Sequence, residues 1–116
     1  MTTSRQILIV EDEPLITMML EDVLDALGYG VAGAADTVAD ALAVIARGGV
    51  DAAILDVNLR GGEKTFPVAD ALAAADIPFL FATGGSGDAI AAEHRERPTI
   101  GKPFTIEGVD QALAAL

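Results

Sequence analysis

The 116-residue chain contains no cysteine and a single histidine. Without thiols there can be no disulfide, no thiolate zinc site and no cysteine nucleophile, which is compatible with a reducing compartment. Positive charge is scarce as well: 7 Lys and Arg stand against 18 Asp and Glu, for a net charge of −11. A surface of that sign repels a phosphate backbone or an anionic bilayer, so direct DNA binding is excluded. Long apolar runs are also missing. Hydrophobic residues make up 52% of the chain and mean hydropathy is +0.45, but alanine inflates both. The longest unbroken run, Ala41 to Ala46, falls far short of the roughly 20 residues that span a bilayer. Near the start, the apolar stretch Ile7 to Val10 stops at Glu11, too short for the core of a signal peptide. The expectation is one cytoplasmic domain over residues 1–116, with no membrane association and no separate output module.

What is present alternates strand and helix. Gln6 to Val10 is rich in β-branched residues, and Ile16, Leu20, Val23 and Leu27 then recur at helical spacing. Pro14 suits the first turn of that helix and Gly28 its C-terminal cap. A weak Gly- and Ala-rich strand is expected over Val31 to Ala34. A helix opened by Thr37 follows, with Leu42 and Ile45 facing inward, and ends at Gly48-Gly49. Ala52 to Leu55 reads as a third strand, and a helix from about Thr65 to Ala75 carries Val68 and Leu72. Ile77 to Ala82 reads as a fourth strand, with Pro78 at its start where a missing N–H is tolerable. Beyond Gly84 to Gly87 a short helix is expected near Asp88 to Glu93, then a strand at Thr99 to Gly101. A last helix, capped by Thr105, carries Ile106, Val109, Leu113 and Leu116. Parallel strands joined by right-handed helical crossovers give a doubly wound, five-stranded α/β sheet buried on both faces. In such sheets, ligands sit at the carboxyl ends of the strands.

Those ends carry the chemistry. The first strand runs into Glu11, Asp12 and Glu13, the third into Asp56, the fourth into Thr83 and the fifth into Lys102. Taken singly, each is an ordinary loop or cap residue. Together they place several carboxylates close enough to repel one another or to require a cation. Carboxylate oxygens with open water positions suit magnesium. Lys102 adds a point charge for an anion and Thr83 a hydroxyl. An acidic metal cradle with one lysine and one hydroxyl is the equipment of phosphoryl transfer, in which Asp56 can itself be the nucleophile.

Four segments, in order, carry a family likeness: Ile7 to Pro14, Ile54 to Leu59, Phe81 to Gly84, and Gly101-Lys102-Pro103-Phe104. Together they closely resemble the receiver domain of bacterial two-component response regulators, over the whole chain. The resemblance implies the flavodoxin-like (βα)5 fold with strand order 2-1-3-4-5. It implies Asp56 as phosphoacceptor, supplied by a histidine kinase or histidine phosphotransfer protein, followed by slow self-hydrolysis. It further implies magnesium held by Asp12, Asp56 and the backbone carbonyl of Asn58, with Glu11 acting through water. Thr83 and Lys102 would bind phosphoryl oxygens, and the peptide preceding Pro103 would be cis, against about 5% of X–Pro bonds generally.

The chain departs from the common receiver pattern at a few positions. Glu11 stands where aspartate is more frequent, and Thr99 where an aromatic usually turns inward on activation. Pro78 to Gly84 resembles a subgroup of single-domain receivers with a Pro-Phe-x-Phe-Ala-Thr-Gly motif and no aromatic switch, which implies stress signalling and phosphorelay roles. The switch is then expected in Thr83, Gly84 and Gly85, as an ordering of the glycine-rich loop after the fourth strand. A merely mobile loop is the plainer alternative.

Other features are weighed against this. His94 lies in a charged turn with Arg95, Glu96 and Arg97 and reads as solvated. The glycine run lacks the GxxxxGK[ST] pattern of a nucleotide loop. Carboxylates after the first strand disfavour a flavin phosphate. Leu15, Met18, Met19 and Pro103-Phe104 are either core or an apolar docking surface for a kinase helix. Two other functions stay open: an interaction module independent of phosphorylation, and a small magnesium-dependent phosphatase, disfavoured by Asn58 where its second aspartate would stand. The output target is not encoded, and a monomer or a weak dimer is expected.

Overall fold

The computed structural model describes residues 5–57, 59, 62–83, 99–101 and 105–116, and for Thr83 the backbone alone. Five strands are present: β1 (Gln6–Val10), β2 (Gly30–Ala35), β3 (Ala52–Asp56), β4 (Phe79–Thr83) and β5 (Thr99–Gly101). Among the described residues four helices accompany them: α1 (Pro14–Ala26), α2 (Val38–Arg47), α3 (Phe66–Ala74) and α4 (Ile106–Ala114). The strands form one parallel sheet in the order β2-β1-β3-β4-β5, the order expected. The helix anticipated near Asp88 to Glu93 lies outside the described residues.

Strand alternation divides the core in two. Leu8, Val10, Leu55, Phe79 and Phe81 point to one face, where α2 and α3 cover them. Ile7, Ile9, Ile54, Leu80 and Ile100 point to the other, against Leu20 and Leu24 of α1 and Val109 and Leu113 of α4. Both faces being covered is why the strands read as continuous apolar runs. Edge strand β2 is different. Its register against β1 slips between Ile7 and Leu8, so Ala32 bulges out of the ladder. A bulge on an edge strand discourages pairing with another chain.

The helix ends follow local chemistry. The hydroxyls of Thr37 and Thr105 accept from the amides of Asp40 and Gly108, capping α2 and α4 as expected. At the end of α1, Gly28 takes φ +86° while the Tyr29 and Gly28 amides donate to Leu24 and Asp25, a Schellman closure. Helix α3 closes by the same two bonds, Ile77 to Leu72 and Asp76 to Ala73, but with an aspartate at φ +58°. An L side chain is strained there, so Asp76→Gly is expected to raise the unfolding free energy by about 0.5 kcal/mol, read by urea denaturation.

Two expectations need correcting. On α2 it is Ala41 that is fully buried, whereas Leu42 is 36% exposed. The helix lies close over Gly33 of β2, with Val44 methyls 3.3 Å from where its Cβ would stand, and the small Ala41 is its fully buried residue. Pro78 precedes β4 and lies outside it, and its carbonyl accepts from the Ala53 amide. A proline can supply that acceptor but no ladder donor.

Candidate functional site

Register brings three strand ends together. Val10 pairs with Leu55 and Asp56 with Ala82, so the residues following β1 and ending β3 share the carboxyl edge of the sheet. By alternation, Glu11 follows Ile7 and Ile9, and Asp56 follows Ile54, toward the α1 side. The amide of Glu11 donates to the carbonyl of Ala35 at 3.0 Å, extending the β1–β2 pairing by one residue and fixing where the acidic turn begins. Pro14, at the first position of α1, ends that turn after two further residues.

The result is a compact triad. One carboxylate oxygen from each of Glu11, Asp12 and Asp56 lies within 4.8 Å of the others. Glu11 is buried, and Asp12 and Asp56 are half-buried. Glu11 uses its extra methylene to fold back: Oε2 accepts from the amides of Asp12 at 2.9 Å and Glu13 at 3.3 Å. Thus the longer side chain braces the turn that presents Asp12. Octahedral magnesium with oxygen ligands at about 2.0–2.1 Å holds neighbouring ligand atoms about 3 Å apart and opposite ones about 4 Å. Hard oxygens in this cluster fit such an ion after a small closure, and the open cleft beside them leaves room for water. That cleft, about 320 Å³, runs from Glu11 and Asp12 to Asp36 past Thr17.

Behind Asp56 lies a residue that sequence reasoning passed over. Thr65 is completely buried, and its hydroxyl donates to the carbonyl of Asp56 at 2.5 Å, with that of Val57 at 3.3 Å. Its amide donates to the same Val57 carbonyl at 3.1 Å. Between these anchor points the loop turns on itself, Leu59 N donating to Glu63 O at 2.7 Å. Glu63 Oε1 accepts from the amide of Val38 at 2.9 Å, joining the loop to the start of α2. In the sequence, Thr65 marks only the approximate start of the third helix.

The remaining site residues divide as follows. Thr83 ends β4, paired with Gly101 of β5, and so stands at the same carboxyl edge. Thr99 is exposed at the start of β5, opposite Phe81. Asn58, Gly84, Gly85, Lys102, Pro103 and His94 lie outside the described residues.

The family model described as "Response regulator receiver domain" matches residues 7–114. The chain belongs to that family. As a receiver domain it is a module of two-component signalling, a class that is in general not enzymatic. SdrG from Sphingomonas melonis Fr1, solved in solution, is 64% identical, with a TM-score of 0.90 over 99% of this chain and 98% of that one. A solution structure titled as the BeF3-activated conformation of SdrG, from Pseudomonas melonis Fr1, gives 0.83 at 64% identity over 99% and 98%. The receiver domain also matches the phyllosphere-induced regulator PhyR of Methylorubrum extorquens, 33% identical over 94% of this chain. It spans 42% of that regulator's length. Among the described residues, no helix of the receiver domain is long and apolar enough to cross a membrane.

Proposed function

We propose that this receiver domain takes a phosphoryl group onto Asp56 from a phosphohistidine, on a histidine kinase or a histidine phosphotransfer protein. The observation that carries the reading is the convergence of Glu11, Asp12 and Asp56 within 4.8 Å at the carboxyl edge of a receiver sheet. A carboxylate oxygen of Asp56 attacks phosphorus in line, an O–P bond forms, the P–N bond breaks and the imidazole departs. Asp12 and Asp56 would hold magnesium, joined by the Asn58 carbonyl and, through water, by Glu11. Such an ion would supply positive charge against the phosphoryl oxygens and the surrounding carboxylates. Lys102 and Thr83 take the remaining phosphoryl oxygens. A relative with 64% identity whose structure is titled BeF3-activated supports the reading, since beryllofluoride on a carboxylate imitates an acyl phosphate.

With Thr99 exposed where an aromatic is usual, the signal passes through Thr83, Gly84 and Gly85 to a partner. The setting is cytoplasmic stress signalling or phosphorelay. The test is intact mass after incubation with phosphoramidate: one phosphoryl group should be gained with magnesium, none with a chelator, and the adduct should be lost to hydroxylamine as an acyl phosphate. Absence of any gain from this donor and from a cognate kinase overturns the proposal.

The docking surface lies beside the acceptor. Leu15, Met18 and Met19 are 66%, 55% and 42% exposed, spaced to form an apolar stripe over the first two turns of α1. They are the surface apolar residues nearest the acidic turn in sequence, and a helix of the phosphodonor can cover them. Truncating Met18 to alanine together with Leu15 is expected to weaken transfer from the histidine protein about tenfold. Uptake from phosphoramidate should stay unchanged, which separates docking from chemistry.

A further inference from the structure

We infer that Thr65 is a positioning residue for phosphoryl uptake: its buried hydroxyl sets the direction in which the Asp56 backbone presents the acceptor carboxylate. The inference rests on the proposed role of Asp56 and extends it to a residue that touches neither metal nor phosphoryl group.

A threonine immediately before a helix ordinarily turns its hydroxyl forward to accept an amide of the first turn, as Thr37 and Thr105 do here. Thr65 occupies that position before α3 and makes no such bond. The first turn of α3 does not need it. Pro67 has no N–H to satisfy, and the Val68 and Ala69 amides donate to the Thr65 carbonyl at 2.9 and 3.1 Å. The hydroxyl is thereby released to point backward. Its one proton goes chiefly to the Asp56 carbonyl at 2.5 Å, with Val57 at 3.3 Å as the weaker acceptor.

This contact spans nine residues of chain and its donor is completely buried, where a hydrogen bond is both stronger and costlier to lose. It holds the peptide that follows Asp56, and rotation of that peptide turns the Cα–Cβ bond carrying the carboxylate. Small rotations matter because in-line transfer demands placement to within a few tenths of an ångström. The same tether fixes the origin of the loop that runs on to Asn58. Glu63, bound to the Val38 amide, secures the other side of that loop against α2.

The experiment compares wild type, Thr65→Val and Thr65→Ser as full chains. Each is titrated with magnesium by amide NMR, phosphorylated with phosphoramidate under intact-mass detection, and melted. Valine keeps the volume and loses the donor; serine keeps the donor. The expected result is a magnesium affinity about threefold or more weaker and uptake about tenfold slower in Thr65→Val. Thr65→Ser should lie within about twofold of wild type in both, even if its melting point falls further because a buried methyl is lost. That opposite ordering of stability and uptake is what a purely structural role would not produce.

Wild-type rates in Thr65→Val, or losses in Thr65→Ser equal to those in valine, overturn the inference. If Thr65→Val does not fold, the wild type alone decides. The Thr65 hydroxyl proton should be slow to exchange and should move when magnesium binds, and indifference to the ion counts against the role. Wild type without uptake would instead sink the reading of Asp56, while the magnesium titrations would still report on the tether.

Discussion

Replacing Asp56 by asparagine is expected to end phosphoryl uptake altogether and, in the absence of metal, to make the protein harder to unfold. The two effects have one origin. Three carboxylates with oxygens within 4.8 Å repel one another by about 1 to 4 kcal/mol per pair across the range from water-like to protein-surface dielectric. On the proposed reading, the same charges would collect a divalent ion that offsets this repulsion. An amide of nearly the same shape removes one charge, so the metal-free variant should gain about 1 kcal/mol in urea unfolding. The amide is no nucleophile toward phosphorus, so the mass gain from phosphoramidate should vanish. Magnesium is expected to stabilise wild type by mass action, by about 2.7 kcal/mol at a hundredfold excess over its dissociation constant. That increment should shrink to a small fraction in Asp56→Asn. A phosphoryl adduct on the variant would place the acceptor elsewhere. An undiminished response to magnesium would detach Asp56 from the ion.

How much of this was legible in the sequence can be argued residue by residue. β1 ends where Val10 meets Glu11, because the apolar run gives way there to an acidic turn closed by Pro14, and the structure ends it there. Thr37 and Thr105 declared two helix starts because a hydroxyl before an amphipathic segment favours accepting an amide of its first turn. That the sheet is parallel and doubly wound followed from crossover handedness, and its strand order from the receiver resemblance. Leu42 misled because α2 is rich in alanine: when Ala41, Val44 and Ile45 supply the contact stripe, bulk alone no longer marks the inward face. Thr65 was invisible for another reason. Its position before Phe66-Pro67 fits a cap, and only the folded loop shows that Pro67 and the helix amides leave its hydroxyl to serve Asp56. Asp36, which lines the cleft together with Glu11 and Asp12, was likewise unremarked, since one more aspartate among 18 acidic residues carries no signal of place.

Truncating Phe81 to alanine is expected to be the most damaging single change to stability, and it also tests how the core reaches the site. Phe81 is completely buried and meets Phe79 and Phe66 edge to face, with ring centroids 5.7 and 6.2 Å apart. Phenylalanine-to-alanine changes in packed cores cost about 3 to 5 kcal/mol, and the two aromatic contacts place this one at the upper end. Against the roughly 5 to 15 kcal/mol that holds a domain of this size together, that is a third or more of the total. The melting midpoint should fall by more than about 10 °C, and urea unfolding should show it at an unchanged slope. Phe81 pairs in register with Leu55 and Thr99, one residue before the Asp56 and Ala82 pair. Its ring also supports Phe66, which follows Thr65 directly. A cavity there loosens β3, β4 and the start of α3 together, so the variant should lose magnesium affinity at temperatures where it is still folded. Leu113→Ala, in α4 on the opposite face of the sheet, should cost about 2 to 5 kcal/mol without that loss. Equal magnesium affinity in both variants would show that the aromatic cluster stabilises the sheet and leaves the geometry of the acidic turn to the loop and its threonine.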